Sequence, residues 1–349
     1  MSWGSSSFTH SLRLVLVDRS TGREVGEVDG LLRKGRISRN QDSDAKESGT
    51  VEVVGVPDFG SRLARLYADV TFTGGGGESV CLGTFVPSFS SRKASGALST
   101  VSVDLTGRLS ELAGDMFDAP VTFPAGTPTV AAAAQIARDA GFEVVADAST
   151  HVLAASRTYG IDEESKLHAV NDLLDAAGFS SASTDAMGRV LMQRYVEPSK
   201  RPAVTMREGE AKLLREVTDE LDSSEVPNVV HAVYETSEET VVGVAVDSDP
   251  ASQWSTVGRG YRIVKVYRYS DAATQAKADE RAATLLAESR SVVHRVTFSH
   301  IYDPRVSVGG VVDLQYPTAG VSARLAVRTQ DIDLGNGLIV KAEGREHRR

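Results

Sequence analysis

Cysteine is almost missing from this chain: Cys81 stands alone among 349 residues. An internal disulfide is therefore excluded, and so is a structural zinc site built on cysteine thiolates. Nothing argues for an oxidising compartment. Tryptophan occurs only at Trp3 and Trp254 and aromatic residues make up 6% of the chain, so a row of rings for stacking sugars is poorly supplied. No apolar run reaches the roughly 18 to 20 residues of a membrane span, so no membrane insertion is expected. The opening MSWGSSSFTHSLRLVLVD lacks a basic segment followed by a long apolar core, so it does not read as a signal peptide, and the expectation is a chain made and folded in a cytoplasm. An excess of basic charge is also lacking. The net charge of -9 argues against a general nucleic-acid binder, which needs concentrated Lys and Arg, yet it suits a surface past which nucleic acid slides without sticking.

What is present is ordinary globular composition, 41% hydrophobic and 24% charged, in a chain long enough for two or three domains. Residues 11–110 give a succession of strand signals: Leu12 to Val17, Glu24 to Val28, Arg36 to Arg39, Thr50 to Val54, Ala64 to Phe72, Ser79 to Phe85 and, after another loop, Ser99 to Leu105. Many short strands with no long helical period indicate a β-barrel or sandwich.

Residues 111–200 change character. Thr127-Pro128 predicts a helix start with threonine as N-cap, and the alanine-rich run ends at Gly141. A second helix is predicted from near Asp162 to Gly178, with Leu167, Val170, Leu173, Leu174 and Ala177 on one face and Asp162, Glu163 and Glu164 favouring its N-terminal dipole. Phe142 to Val145 and a hairpin, Phe179 to Ser183 with Arg189 to Tyr195, complete a small α+β unit that exits through Pro198 to Pro202. Residues 203–349 return to strands: Val226 to Tyr234, Thr240 to Val246 and Tyr261 to Tyr269, then a helix capped by Asp271, then Ser291 to Pro317. In that last segment a strand breaks at Asp303-Pro304 and a second, Val306 to Tyr316, carries Gly309 and Gly310 where a backbone bend or bulge is expected. Ala323 to Leu334 and Leu338 to Glu343 form a hairpin around Gly335-Asn336-Gly337.

Chemistry is hard to find. Gly74 to Gly77 lacks the lysine, hydroxyl and following helix of a phosphate loop and reads as a hairpin turn. His294 and His300 share a strand face but stand roughly 20 Å apart at about 3.3 Å per residue, too far for one metal. Ser299 next to His300 on a strand points to the opposite face, which defeats a triad with Asp303. Asp331, Asp333 and Asn336 lack the glycine and the terminal glutamate of a calcium loop. No catalytic residue, cofactor or metal is expected. The polar loop from Arg33 to Glu47 is more suggestive: Arg33, Lys34, Arg36, Arg39, Asp42, Asp44, Lys46 and Glu47 cluster charge of both signs between two strands, as a subunit contact or pore-facing loop would, or simply as a solvated hairpin.

Four stretches, GRISRNQDSDAKESGTVEVVG, SKLHAVNDLLDAAGFSSASTDAMGRVLMQRYVEPSKRPA, VPNVVHAVYE and HIYDPRVSVGGVVDLQYP, together with the order β block, α+β insertion, β block, give the chain a resemblance to the hub proteins of phage tail tips and baseplates, a family shared with the spikes of contractile injection machines. The resemblance implies a mainly β fold: a first tube-type β-barrel domain at 1–110, an inserted α+β domain at 111–202 and a second tube-type β-barrel domain at 203–349 with one helix at about 271–289. It implies a homotrimer whose six barrels join a sixfold tail tube or distal tail protein to a threefold spike, fibre or tape-measure protein, with DNA passing through the channel unbound. The place implied is the virion tail tip, assembled in the bacterial host cytoplasm. A carbohydrate- or receptor-binding module is the alternative. A tail-associated peptidase or cell-wall hydrolase is disfavoured, because few residues follow Gly337.

Overall fold

Alternation of apolar and polar side chains through residues 8–107 lets every second residue reach one core while the others face out. Seven strands result: β1 (Phe8–Val17), β2 (Glu24–Glu27), β3 (Leu31–Asn40), β4 (Glu47–Val54), β5 (Leu63–Phe72), β6 (Gly77–Ser95) and β7 (Leu98–Gly107). The computed structural model describes Trp3 and residues 7–95, 98–161, 164–210, 212–221, 226–235, 239–252, 254–269, 274–289, 293–335 and 337–347. The seven strands pair antiparallel in the order β3-β4-β7-β6-β5-β1-β2. They curl round one core that takes Leu14, Ile37, Val51, Leu66, Phe85 and Val103 from six of them. The run nearly meets itself, since β1 lies against β3 and the Val28 amide donates to the Leu14 carbonyl at 2.8 Å. Among the described residues no ladder closes it into a complete barrel. Beyond Phe85, where a loop is expected, β6 continues to Ser95 against β7, with a bulge between Phe89 and Ser91. Ser88, Phe89, Ser91 and Arg92 are all exposed in this arm. A ribbon wet on both faces needs no apolar alternation, so hydropathy does not mark it.

The middle unit has its own core, with Leu112, Ile136, Leu173 and Met192 at its centre. It comprises α1 (Leu109–Ala113), β8 (Val121–Phe123), α2 (Thr129–Asp139), β9 (Val144–Ala146), β10 (Arg157–Tyr159), α3 (Lys166–Ala176), β11 (Ser183–Thr184) and β12 (Val190–Met192). Both expected helix starts shift. Pro128, not Thr127, occupies the N-cap position of α2, and the Thr127 hydroxyl instead donates to the Pro124 carbonyl at 2.7 Å. α3 begins after Ser165, whose hydroxyl oxygen accepts from the His168 amide at 3.2 Å. A serine cap satisfies an orphan amide of the first turn, while the Glu164 carboxylate lies 3.3 Å from the His168 ring. Asp162 and Glu163 lie outside the described residues.

The last third departs furthest from expectation. β13 (Ala203–Arg207) and β14 (Leu213–Leu221) come first, then β15 (Val229–Glu235), β16 (Thr240–Val246), α4 (Thr256–Arg259), β17 (Val264–Tyr269) and α5 (Gln275–Ser289). The chain ends with β18 (Val293–Ile301), β19 (Val311–Tyr316), β20 (Val321–Asp333) and β21 (Ile339–His347). The strands expected to join the second barrel, β15 to β17, form a separate sheet of order β16-β15-β17. The reason is α5: Ala278, Ala282, Leu285 and Leu286 make an apolar stripe that must be covered, and Val230, Ala232 and Tyr234 of the central strand β15 cover it. Asp271, the expected cap, lies outside the described residues, as do Ser291, Val292 and Asn336.

The remaining strands join the first seven in one 13-stranded sheet. β20 makes the junction. One of its edges pairs with β21; the other is handed from β19, over Val321 to Ala326, to β3, over Thr329 to Asp333. The core of the first block is accordingly completed by Tyr302, Ile332, Leu334, Leu338 and Val340 from the end of the chain.

Two expected outcomes follow. A Cβ on Gly243 would lie 2.0 Å from the Ala278 carbonyl oxygen, so α5 rests directly on the β16 backbone. Gly243→Ala should destabilise this unit by about 1–3 kcal/mol, the usual range for overpacking. Hydrogen exchange should speed up in β15, β16 and α5 while β20 and β21 stay protected. In the β1–β2 turn the Asp18 carboxylate accepts from the hydroxyls of Ser20 and Thr21 and from both their amides, which holds its pKa down at about 2. A depressed carboxylate stabilises the fold above its unfolded value and stops doing so as pH falls through the folded one. NMR titration should therefore find Asp18 ionised until about pH 2, and a midpoint near the ordinary 3.8 would contradict the turn.

Candidate assembly surface

The charged segment from Arg33 to Glu47 is mostly strand. β3 reaches Asn40 and β4 starts at Glu47, so only residues 41–46 form the loop. Strand alternation then splits its charges between two faces. Arg39 and Glu47 sit opposite each other in the ladder and point inward, 3.0 Å apart, each with a side chain 13% exposed. Arg39 also donates to the Leu82 carbonyl at 2.5 Å. Burial pushes the Glu47 carboxyl up from its ordinary value against the pull of Arg39. Burial also works to lower Arg39, but the charge of Glu47 and the Tyr302 hydroxyl outweigh it and hold the guanidinium up. This pair belongs to the interior of the seam and not to a subunit contact. Lys46 turns inward too: its ammonium donates to the Gln41 carbonyl at 2.6 Å, and burial lowers its pKa.

The outward residues are Arg33, Lys34, Arg36, Asp42 and Asp44. Asp42 is bound by Arg328 of β20 and lies 3.8 Å from Arg345 of β21, which clips the loop onto the second block. Lys34 pairs with Glu52 at 2.7 Å, and Arg33 donates to the Gly335 carbonyl at 3.2 Å. Arg33, Lys34 and Arg36 line an open groove of about 740 Å³ together with Glu52, Asp331 and Lys341. Asp44 borders a smaller recess beside Glu164 and His168 of the middle unit.

Ladder register extends this polar face across the junction. Ser299, Lys341, Asp331, Ser38 and Ser48 are successive neighbours from β18 to β4, and Asp333, Arg36, Thr50 and Asp104 make the next row. Its charges answer one another: Arg295 lies 3.3 Å from Glu343, Arg345 3.1 Å from Glu343, and the Ser38 hydroxyl donates to Asp331. The face is wet and of mixed sign. Only the sign clustering in 33–47 pointed to it in the sequence. The contributions of β20 and β21 were hidden because a strand's neighbours are not written in its own residues.

Gly309 and Gly310 precede β19, which starts at Val311 and not at Val306. They form a turn in which the Gly310 amide donates to the Ser307 carbonyl at 2.9 Å and Gly309 has φ +81°, a conformation that favours glycine. The turn docks on the junction strand: the Gly309 amide donates to the Val327 carbonyl at 2.8 Å and the Val327 amide to the Gly310 carbonyl at 3.0 Å. A Cβ on Gly310 would stand 2.9 Å from the Ser307 carbonyl oxygen.

The residues that suggested chemistry are occupied otherwise. His294 is buried, with Nδ1 2.9 Å from Glu346 and Nε2 against Asp219. His300 Nδ1 meets the Ile301 carbonyl at 2.7 Å, and Asp303 is bound by Arg305 at 2.5 and 2.8 Å. Among the described residues no group of three or more His, Cys, Asp or Glu side chains is placed to hold a metal, and no helix is long and apolar enough to cross a membrane. Cys81 donates to the Ala186 carbonyl at 3.3 Å, and burial pushes its thiol up to about 11. Labelling by a disulfide reagent at pH 8 should accordingly be slow in the native protein and become fast in denaturant, because the thiolate is the reactive form; equal rates would contradict this placement.

No family model matches the sequence, and no curated protein is similar to it in sequence. Solved structures are. The tail protein from Neisseria meningitidis MC58 superposes with a TM-score of 0.66 at 14% identity, over 97% of each chain. The 43 kDa tail protein of prophage MuSo2 from Shewanella oneidensis does so with 0.66 at 12% identity, over 96% of this chain and 98% of that one. A prophage tail protein from Listeria monocytogenes gives 0.55 at 13% identity, over 95% and 94%. The chain has the fold of these tail proteins nearly end to end.

Proposed function

We propose that this protein is a structural hub of a phage or prophage tail tip. The observation that carries the reading is the shared fold over nearly the whole length of tail proteins from Neisseria meningitidis and Shewanella oneidensis. The junction at β20 supports it, because it ties the two β blocks into one continuous sheet that presents both together. In this reading the chain is a homotrimer, residues 1–110 and the strands β13, β14 and β18 to β21 of 203–349 supply the tube-type barrels, and 111–202 decorates the outside. Three copies then offer six similar barrels to a tail tube or distal tail protein and a threefold face to a spike, fibre or tape-measure protein. The assembled particle belongs to the virion, is put together in the host cytoplasm, and is not an enzyme.

The mixed-sign polar face over β18, β21, β20, β3 and β4 lines the channel in this reading. Lys34, Arg295 and Arg345 are each paired with a carboxylate and Asp331 and Asp333 stand among the basic residues of the groove, which weakens any grip on phosphates, so DNA passes without adhering. Sugar recognition gains no support: the guanidinium of Arg259 lies 5.2 Å from the ring centre of Trp254 and 5.9 Å from that of Tyr261, covering ring surface on which a sugar would stack.

Light scattering or native mass spectrometry of the purified chain should give a trimer whose proportion rises with concentration. A strict monomer up to the highest soluble concentration, or hydrolysis of peptidoglycan by the chain alone, would overturn the proposal.

A further inference from the structure

The small sheet β16-β15-β17 is covered by α5 on one face only. On the other face Val242, Val244, Val246, Val264 and Val266 are 38% to 47% exposed. Register makes them contiguous: Val246, Val229 and Val264 form one row across the strands, and Val244, His231 and Val266 the next. A contiguous apolar face with polar surroundings marks a contact surface rather than scattered exposure. Its border is a free edge. β17 pairs with β15 alone, so one side of its backbone is unpaired with any strand among the described residues. The edge is also basic in an acidic protein. From Ala251 to Tyr269 there is no Asp or Glu, while the same stretch carries Arg259, Arg262, Lys265 and Arg268 and the whole chain carries -9.

The same chain holds the complement. β2 is an edge strand paired with β1 alone; it is exposed at every position, carries Glu24 and Glu27, and leaves Val25 55% exposed. The charges on both strands fall three residues apart. In an antiparallel ladder that sets Lys265 opposite Glu27, Tyr267 falls opposite Val25 and Arg268 opposite Glu24 in the same register. Glu24 already accepts from Arg65 at 3.0 Å and from the Tyr67 hydroxyl at 2.6 Å in its own chain, so Lys265 with Glu27 is the new ion pair and Arg268 joins a carboxylate already held. Within one chain the two strands do not pair.

We infer that β17 of one protomer adds to β2 of a second copy, with the valine face turned against that copy. This rests on the trimer reading and names its contact. The contact is heterologous, joining two different surfaces, as a closed threefold ring requires. A ladder of four residues is far smaller than the roughly 800 Å² per partner of a standard interface. It therefore acts as one element of a ring in which each subunit is held from two sides. Arg268 now holds Glu235 at 3.3 Å in an exposed pair, which is cheap to exchange.

Charge reversal in the full-length protein tests this, read by native mass spectrometry across a concentration series. Lys265→Glu and Glu27→Lys should each raise the concentration for half-assembly at least tenfold, and the double variant should restore it toward wild type. Both positions are exposed, so the monomers should keep the wild-type circular dichroism spectrum. Single variants that assemble like wild type, or a double variant that stays dissociated, overturn the contact while leaving the trimer standing; a wild-type chain that never assembles overturns both. With Val25→Cys and Tyr267→Cys in a Cys81→Ser background, an added oxidant should yield disulfide-linked trimers on a denaturing gel, and monomers alone would also overturn the contact.

Discussion

The ladder between β3 and β20 holds the molecule together. Arg36 to Asn40 meets Asp333 to Thr329, strands separated by nearly the whole chain, and two β blocks become one sheet. Backbone amides and carbonyls at this line would otherwise be two raw edges, each a site for unwanted pairing. The bulge on β20 between Val327 and Thr329 lets one strand serve β19 with its first half and β3 with its second. Val327 is itself gripped by the Gly309-Gly310 turn, so the point of hand-over is fixed from the side.

The two faces of this junction have different tasks. Inward, Phe298, Ala342, Gln330, Arg39 and Glu47 are successive ladder neighbours. A buried ion pair adds little net stability but is costly to break from one side, which makes it a device for fixing register between blocks. Outward, the face is polar and its charges are paired across strands. The division suits the proposed hub role, which calls for a fixed join between the two β blocks and a surface that neither sticks to nucleic acid nor collapses onto another apolar sheet. The unit from β15 to α5 breaks the pattern with its open valines, the surface proposed for the copy-to-copy contact.

Much of the architecture was legible in the sequence. The alternation in Leu12 to Val17 and Ala64 to Phe72, and the apolar face Leu167, Val170, Leu173 and Leu174, correspond to observed elements because burial on one face writes its period into the residues. Pairing is different. Nothing in Thr329 to Asp333 names β3 as its neighbour, and nothing in Val229 to Glu235 says that α5 will cover it and withdraw it from the large sheet. The long arm of β6 was missed because both its faces are wet. The 33–47 segment was noticed for its charge, yet charge alone does not tell Arg39, buried against Glu47, from Arg36, exposed three residues earlier on the opposite face of the same strand.

Electron microscopy of the assembled protein addresses the central claim most directly. The account predicts particles with one threefold axis, six alike lobes set around an open channel, and the polar face of β3, β20 and β21 turned toward that channel. A particle with a closed axis, or one in which this polar face is buried between two copies related by a twofold, would contradict it.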